Sequence, residues 1–317
     1  MKTAVAFVFA AALLLAQPNR SVPSGPANSP ANSGAQEPTY KVDVRLVRSL
    51  VTVKNDAGDL VGSLERKDFV VTDNGIKQEI AVFDRQTAQP LSITLLIDTS
   101  FSTSKDLRFE RASLLKFLEA IVRGGNTEDA ASLYSFSGQV TMMSAFTRRI
   151  SRLEDSLNQL TAEPGTSMYD ALYLSTRDLS RREGRHVIVA ITDGADTTSK
   201  KKYRDALQAV LNADAVLYPI VIVPITNPAG RNTGGEHALE TLAQSSGGRT
   251  FYPTAGNQLD ETFDKILQDL RTQYLIAYYP RGVNSGTNSF HRLRIELPER
   301  KDLRISTRTG YYEVNTP

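Results

Sequence analysis

Three short stretches carry side chains suited to a hard cation: Asp98-Thr99-Ser100-Phe101-Ser102, Gly165-Thr166 and Asp193-Gly194. Hydroxyl and carboxylate oxygens are the ligands that Mg²⁺ or Mn²⁺ prefers. Asp98 ends an apolar run, so Ser100 and Ser102, two residues apart, can turn both hydroxyls toward one ion with Asp98 behind them. Neutral hydroxyls leave most of the ion's charge uncompensated, and such an ion takes up an incoming carboxylate strongly. Asp98 and Asp193, held one water further out, would orient the ligands without quenching the ion. If the three stretches converge, the result is a partly open site that a carboxylate from another molecule can complete.

Each stretch also has a plainer explanation. Asp-x-Ser-x-Ser fits a strand end followed by helix-capping serines. Ser167 with Asp170 fits a capping box at a helix start. Asp193-Gly194 is an ordinary turn. What favours a site is their order along a strand–helix alternation.

That alternation covers residues 90–272. Strand-like runs are expected at Leu91–Ile97, Ala131–Phe136, Val140–Met143, Val187–Thr192, Val216–Val223 and Arg249–Tyr252. Several are continuously apolar, as in parallel strands covered on both faces. Helices are expected near 105–122, 149–160, 168–181, 203–213, 235–244 and 257–271, the first ending at Gly124-Gly125. The fold class is α/β: a doubly wound, mostly parallel sheet with helices on both faces. Ligands of such sheets bind beyond the carboxyl ends of the strands. Asp98 and Asp193 each follow a strand, and Thr166 sits in the Pro164-Gly165-Thr166 turn before a helix.

The flanks, 40–87 and 273–315, are β-rich. Val42, Val44 and Leu46 alternate with polar residues. Phe69–Val71, a turn at Asp73-Asn74-Gly75 and Ile80–Phe83 suggest a hairpin. Further strands are expected at Tyr274–Tyr279, Phe290–Leu297, Leu303–Thr307 and Tyr311–Val314. Each flank is too small to fold comfortably alone. The two are expected to pair into one small β-sandwich-like domain, with 90–272 inserted between them.

At the N-terminus, Met1-Lys2 and the apolar run Ala4–Ala16 read as a signal peptide cleaved near Ala16. The run is short for a membrane span, which leaves an uncleaved anchor as the alternative. Residues 17–39, rich in Pro, Ser and Asn, read as a disordered linker. The expected location is therefore secreted or periplasmic, with no stable membrane insertion after cleavage.

Composition narrows the chemistry. The 317 residues carry 37 Lys+Arg against 35 Asp+Glu, a net charge of +2 that argues against nucleic acid as partner. With no cysteine, thiolate metal sites and disulfides are excluded. His186, His237 and His291 are dispersed and read as packing or surface residues. Neither a Gly-x-Ser-x-Gly elbow nor a phosphate-binding Gly-rich loop with Lys-Ser/Thr is present. Arg181–Arg185 and Lys200–Lys202 read as solvated surface, and the Tyr278-Tyr279 and Tyr311-Tyr312 pairs as β packing.

Asp-x-Ser-x-Ser, a Gly-Thr turn and Thr-Asp-Gly after an apolar strand together resemble the metal-ion-dependent adhesion site of von Willebrand factor type A domains. The resemblance covers roughly 90–272. It implies Ser100, Ser102 and Thr166 as hydroxyl ligands, with Asp98 and Asp193 acting largely through water. Pro164 departs from the Gly that many relatives have there, which implies a stiffer Thr166 loop. The flanks, from Val51-Thr52-Val53 to Phe83 and from Tyr274–Pro280 to Arg308–Tyr311, resemble secreted bacterial proteins built around such a domain. The implied function is a non-enzymatic binding module. It would use Mg²⁺ (or Mn²⁺ or Ca²⁺) to grip an Asp or Glu of a protein partner. Self-assembly through the metal and, more remotely, metal-dependent hydrolysis are the alternatives.

Overall fold

In the computed structural model, residues 46–85, 89–103, 107–222, 232–253, 256–283 and 289–313 are described. The N-terminal leader and linker expectations, the alternation at Val42 and Val44, and the strand ends at Val223 and Val314 lie outside them.

The central sheet begins with β5 (Leu91–Asp98), buried at every position. It follows four flank strands: β1 (Val47–Asn55), β2 (Val70–Asp73), β3 (Ile76–Gln78) and β4 (Ile80–Arg85). On one side β5 pairs in parallel with β6 (Ala130–Phe136), which carries the antiparallel edge strand β7 (Val140–Thr147). On the other side β5 pairs in parallel with β8 (Arg185–Thr192), then β9 (Ala215–Val221). The order is β7-β6-β5-β8-β9, so the chain reverses direction across the sheet between β5 and β8.

Alternate residues of these strands feed two cores. Ile93, Leu95 and Ile97 of β5 face α1 (Leu107–Gly124), α2 (Ile150–Asn158) and α6 (Gly256–Thr272). Leu96 of β5 and Ile188 and Ala190 of β8 face α3 (Met168–Leu179), α4 (Tyr203–Asn212) and α5 (Thr233–Ser246). Helices thus cover both faces, as the apolar strand runs require. In α1, Leu114, Phe117, Leu118 and Ile121 form one buried stripe at helical spacing. Phe117 stacks on Phe263 of α6 at 4.4 Å between ring centroids. Burying a side chain of this size contributes about 1.5–3 kcal/mol.

Two four-stranded sheets, with orders β12-β1-β10-β4 and β13-β11-β2-β3, combine both flanks. Here β10 is Tyr274–Tyr278, β11 Phe290–Glu296, β12 Leu303–Thr307 and β13 Gly310–Tyr312. β1 lies between β10 and β12, both antiparallel to it. Val47, Val51, Val53, Tyr274 and Ile276 of one sheet and Val71, Leu293 and Ile295 of the other share a core.

Two elements differ from expectation. The hairpin after the Asn74-Gly75 turn closes on Ile76–Gln78 rather than on Ile80–Phe83. Asn74 has φ 49° and Gly75 has φ 84°. Two successive positive φ angles make a two-residue turn matched to strand twist. The chain then crosses to the other sheet, where Ile80–Arg85 pairs with β10. Arg249–Tyr252 is not a strand: only Phe251 bridges, to Ile220 of β9.

Candidate metal centre

The sheet register accounts for the first part of the site. Ile97 pairs with Ile191, so Asp98 and Thr192 stand level, one residue further along adjacent parallel strands. The Thr192 hydroxyl donates to Asp98 Oδ2 at 2.6 Å and accepts from Gly194 N at 3.1 Å. Asp98 Oδ1 accepts from Ser100 N at 2.9 Å. Asp98 is 1% exposed. Burial pushes its carboxyl up to about 6, against the downward pull of the bonds from Thr192 and Ser100, and the charge of Asp193 adds to the rise. A cation beside such a group favours its ionised form.

The loop after β5 is held from two sides. The Thr103 hydroxyl donates to the carbonyls of Asp98 and Ser100 at 2.9 and 3.0 Å. Ser100 forms a bridge with Glu163, whose N–H donates to the Thr99 carbonyl at 2.9 Å. This brings the segment preceding Thr166 alongside the first stretch. Pro164 contributes its carbonyl, which accepts from Gly138 N at 2.9 Å. Gly165 has a positive φ, and a Cβ there would lie 2.9 Å from Gly138 Cα.

The third stretch is tied to the second. Thr166 N donates to the Thr197 hydroxyl at 3.0 Å, and the Thr166 carbonyl accepts from Thr197 N and Thr198 N at 2.8 and 3.1 Å. Asp193 is half-buried, and its Oδ1 accepts from Ala195 N at 3.0 Å. On its far side Gly194 meets the start of α5, where Asn232 Nδ2 donates to the Gly194 carbonyl at 3.2 Å. A Cβ on Gly235 would sit 1.7 Å from that oxygen, so the close approach requires glycine.

The stretches bearing Asp98, Ser100, Ser102, Thr166 and Asp193 are thus bonded to one another along one rim, at the point where the strand order reverses. Ser100 and Thr166 are buried, whereas Ser102 is exposed. The Ser100 and Ser102 hydroxyl oxygens are 3.0 Å apart. Two neighbouring ligands of an octahedral Mg²⁺, each at about 2.1 Å, are separated by about 3.0 Å. Among the described residues no three acidic or histidine side chains gather into a metal cluster. The candidate donors, three hydroxyls and two carboxylates, fit a small hard cation better than Zn²⁺.

The expected Ser167–Asp170 capping box is absent. The Ser167 hydroxyl bonds the Gly138 carbonyl and the Thr198 hydroxyl. The Asp170 carboxylate accepts from Lys200 N and Lys201 N at 3.0 and 2.7 Å. The start of α3 is capped instead by the loop after Asp193: Tyr169 N donates to Asp196 Oδ1, and Asp170 N to the Ser199 hydroxyl. Thr192, Asp196 and Thr197 are supporting residues absent from the sequence-based site. Thr192 carries a signal, as the Thr of Thr-Asp-Gly; Asp196 and Thr197 carry none. The histidines stand apart from the site. His186 bonds two backbone carbonyls, His237 is exposed, and His291 is buried in the flank sandwich.

Solved structures with a similar course of chain include the von Willebrand factor domain of the type V pili tip protein Mfa5 from Porphyromonas gingivalis. It shares 14% identity over 57% of this chain and 95% of that one, with a TM-score of 0.49. A von Willebrand factor type A protein from Catenulispora acidiphila shares 11% identity over 87% of this chain and 75% of that one, with a TM-score of 0.48. An aerotolerance-related membrane protein from Bacteroides fragilis shares 18% identity over 57% of this chain and 98% of that one, with a TM-score of 0.44. Identities this low carry nothing about partners or activity. No curated protein matches the chain. The rim from Asp98 to Asp193 lies wholly inside residues 93–195, the stretch of this chain that matches the family model of the von Willebrand factor type A domain.

Proposed function

We propose that this chain is a non-enzymatic binding module that uses a divalent cation, Mg²⁺ or alternatively Mn²⁺ or Ca²⁺, to hold an Asp or Glu side chain of a protein partner. Ser100, Ser102 and Thr166 would hold the ion through their hydroxyls, with Asp98 and Asp193 oriented toward it through water. The ion would supply the positive charge that an incoming carboxylate completes. The single observation that carries the reading is the 3.0 Å pair of serine hydroxyls above buried Asp98 at the switch point. The exposed Ser102 and Phe101, 63% exposed, mark the side from which a partner would approach. The leader-like start of the chain puts the module outside the cytoplasm in this proposal, and among the described residues no helix is long and apolar enough to cross a membrane.

Calorimetric titration of the full chain with Mg²⁺, Mn²⁺ and Ca²⁺ tests the ion. Saturable binding of at least one, abolished in Asp98→Ala, is expected; no heat from any of the three sinks the proposal. Capture from the native envelope with and without EDTA tests the partner. An EDTA-sensitive foreign protein is expected. Recovery only of the chain itself would replace adhesion by self-assembly.

A further inference from the structure

The most exposed large apolar side chain among the described residues is Phe101, at 63%. It stands between Ser100 and Ser102, the two candidate ligands whose hydroxyl oxygens are 3.0 Å apart. Thr103 N donates to the Ser100 carbonyl at 3.1 Å, which closes a tight turn with Phe101 and Ser102 at its middle positions. Such positions usually hold Gly, Pro, Asn, Asp or Ser, because those residues either fit the turn backbone or bond to it. Phenylalanine does neither.

A single exposed apolar residue is ordinary on a protein surface. Phe101 differs from the others in its setting. Ile76, Met142 and Phe290 are strand residues, and the Phe290 ring packs with Tyr312 at 5.1 Å between centroids. Phe101 sits instead on a turn fastened from below: the Thr103 hydroxyl bonds the Asp98 and Ser100 carbonyls, and Ser100 bridges to Glu163. A residue on a fixed base has already lost much backbone freedom, so covering it costs little further entropy. Aromatic anchors of this kind carry much of the energy of protein interfaces. Chain geometry limits what can cover it. Consecutive Cα atoms are about 3.8 Å apart, so Phe101 lies one step from each serine. An extended partner segment advances at most about 3.6 Å per residue. If that segment gives a carboxylate to the ion, the side chain that covers Phe101 sits within about two residues of the acid. An apolar side chain there also displaces water from the ion–carboxylate contact, and the attraction grows as the local dielectric falls. A polar side chain forgoes both gains.

We infer that Phe101 sets the specificity of this rim: it selects a partner segment in which an acidic residue has a large apolar residue within two positions of it. The inference rests on the cation-held carboxylate proposed above. Phe101 ligates nothing; it reads the neighbour of the group that the ion holds.

Synthetic peptides Gly-Gly-X-Glu-X-Gly-Gly, with X either Leu or Gly, test the inference when titrated into the full chain at saturating Mg²⁺ and followed by NMR. The Leu peptide should bind about tenfold tighter or more, the gain from covering a large apolar side chain. That preference should fall below about twofold in Phe101→Ser and persist in Phe101→Leu. If Phe101→Ser does not fold, Phe101→Gln takes its place. Neither peptide should bind when EDTA replaces Mg²⁺. Mg²⁺ titrated alone into each protein separates this inference from the reading beneath it. If the ion binds but the two peptides bind equally, or neither binds, the inference is overturned and the cation centre stands. A Leu preference that survives EDTA, or survives in full in Phe101→Ser, overturns it as well. If no ion binds, the proposed function fails and this inference with it.

Discussion

Two aspartates of this chain are buried to the same degree and teach opposite lessons. Asp73, at the end of β2, is 0% exposed, and Asp98, at the end of β5, is 1% exposed. Asp73 is closed in by its donors: Tyr278 and Tyr311 hydroxyls on Oδ2 at 2.9 and 2.6 Å, and His291 Nδ1 at 3.1 Å from Oδ1. Burial, with the neighbouring carboxylate, pushes both tyrosines well above their ordinary range, which keeps them protonated as donors. Asp98 takes the Thr192 hydroxyl and both the backbone N–H and the side chain of Ser100, all at one strand end. It sits beneath two hydroxyls on a rim that opens to solvent at Ser102. Burial of an acid therefore does not by itself mark a candidate site; a strand-end position beside two hydroxyls on a solvent-facing rim does.

The contrast is sharpened first by Asp73→Ala. Three donors in the sandwich lose their acceptor, and unfolding free energy in urea should fall by about 3–5 kcal/mol, with the Mg²⁺ response of the folded fraction intact. Gly235→Ala should come next. Its Cβ must push the Gly194 carbonyl away. The cost should be about 1–3 kcal/mol, and the displaced Asp193 loop should also weaken Mg²⁺ binding. Tyr311→Phe removes one of the three donors to Asp73 and should cost about 1–2 kcal/mol without touching cation binding. Asp98→Asn should change stability least, by about 1 kcal/mol or less, because losing a hydrogen bond is offset by relief of a buried charge. It should nevertheless abolish Mg²⁺-dependent thermal stabilisation. If Asp73→Ala and Asp98→Asn instead gave the same stability loss and the same cation response, the contrast between the two aspartates would be lost.

Legibility in the sequence follows the same division. The run Leu91–Ile97 announces a strand covered on both faces, and Asp98 follows it directly, so local pattern alone places the acid at a strand end. The Ser100 and Ser102 spacing is equally local. Asp73 is the reverse case: its partner Tyr311 lies 238 residues away, and no periodicity links β2 to β13. For the same reason Asp170 suggests a local capping box, whereas its carboxylate holds the backbone of Lys200 and Lys201, 30 and 31 residues on. The hairpin partner is hidden because Ile80–Phe83 is the stronger β-former, while the turn geometry at Asn74-Gly75 favours the immediate neighbour, Ile76–Gln78. Local signals locate the candidate centre; the bonds that hold its loops together are non-local and become visible only in three dimensions.

Whether the two serine hydroxyls ligate a cation that Asp98 orients is decided by titrating Mg²⁺ into the full chain and into its Ser100→Ala/Ser102→Ala double variant by calorimetry, with unfolding curves measured for both. Saturable binding is predicted in the parent, with affinity at least tenfold weaker in the variant and closely matching unfolding midpoints without Mg²⁺. Equal Mg²⁺ affinity in the two proteins would contradict that ligation.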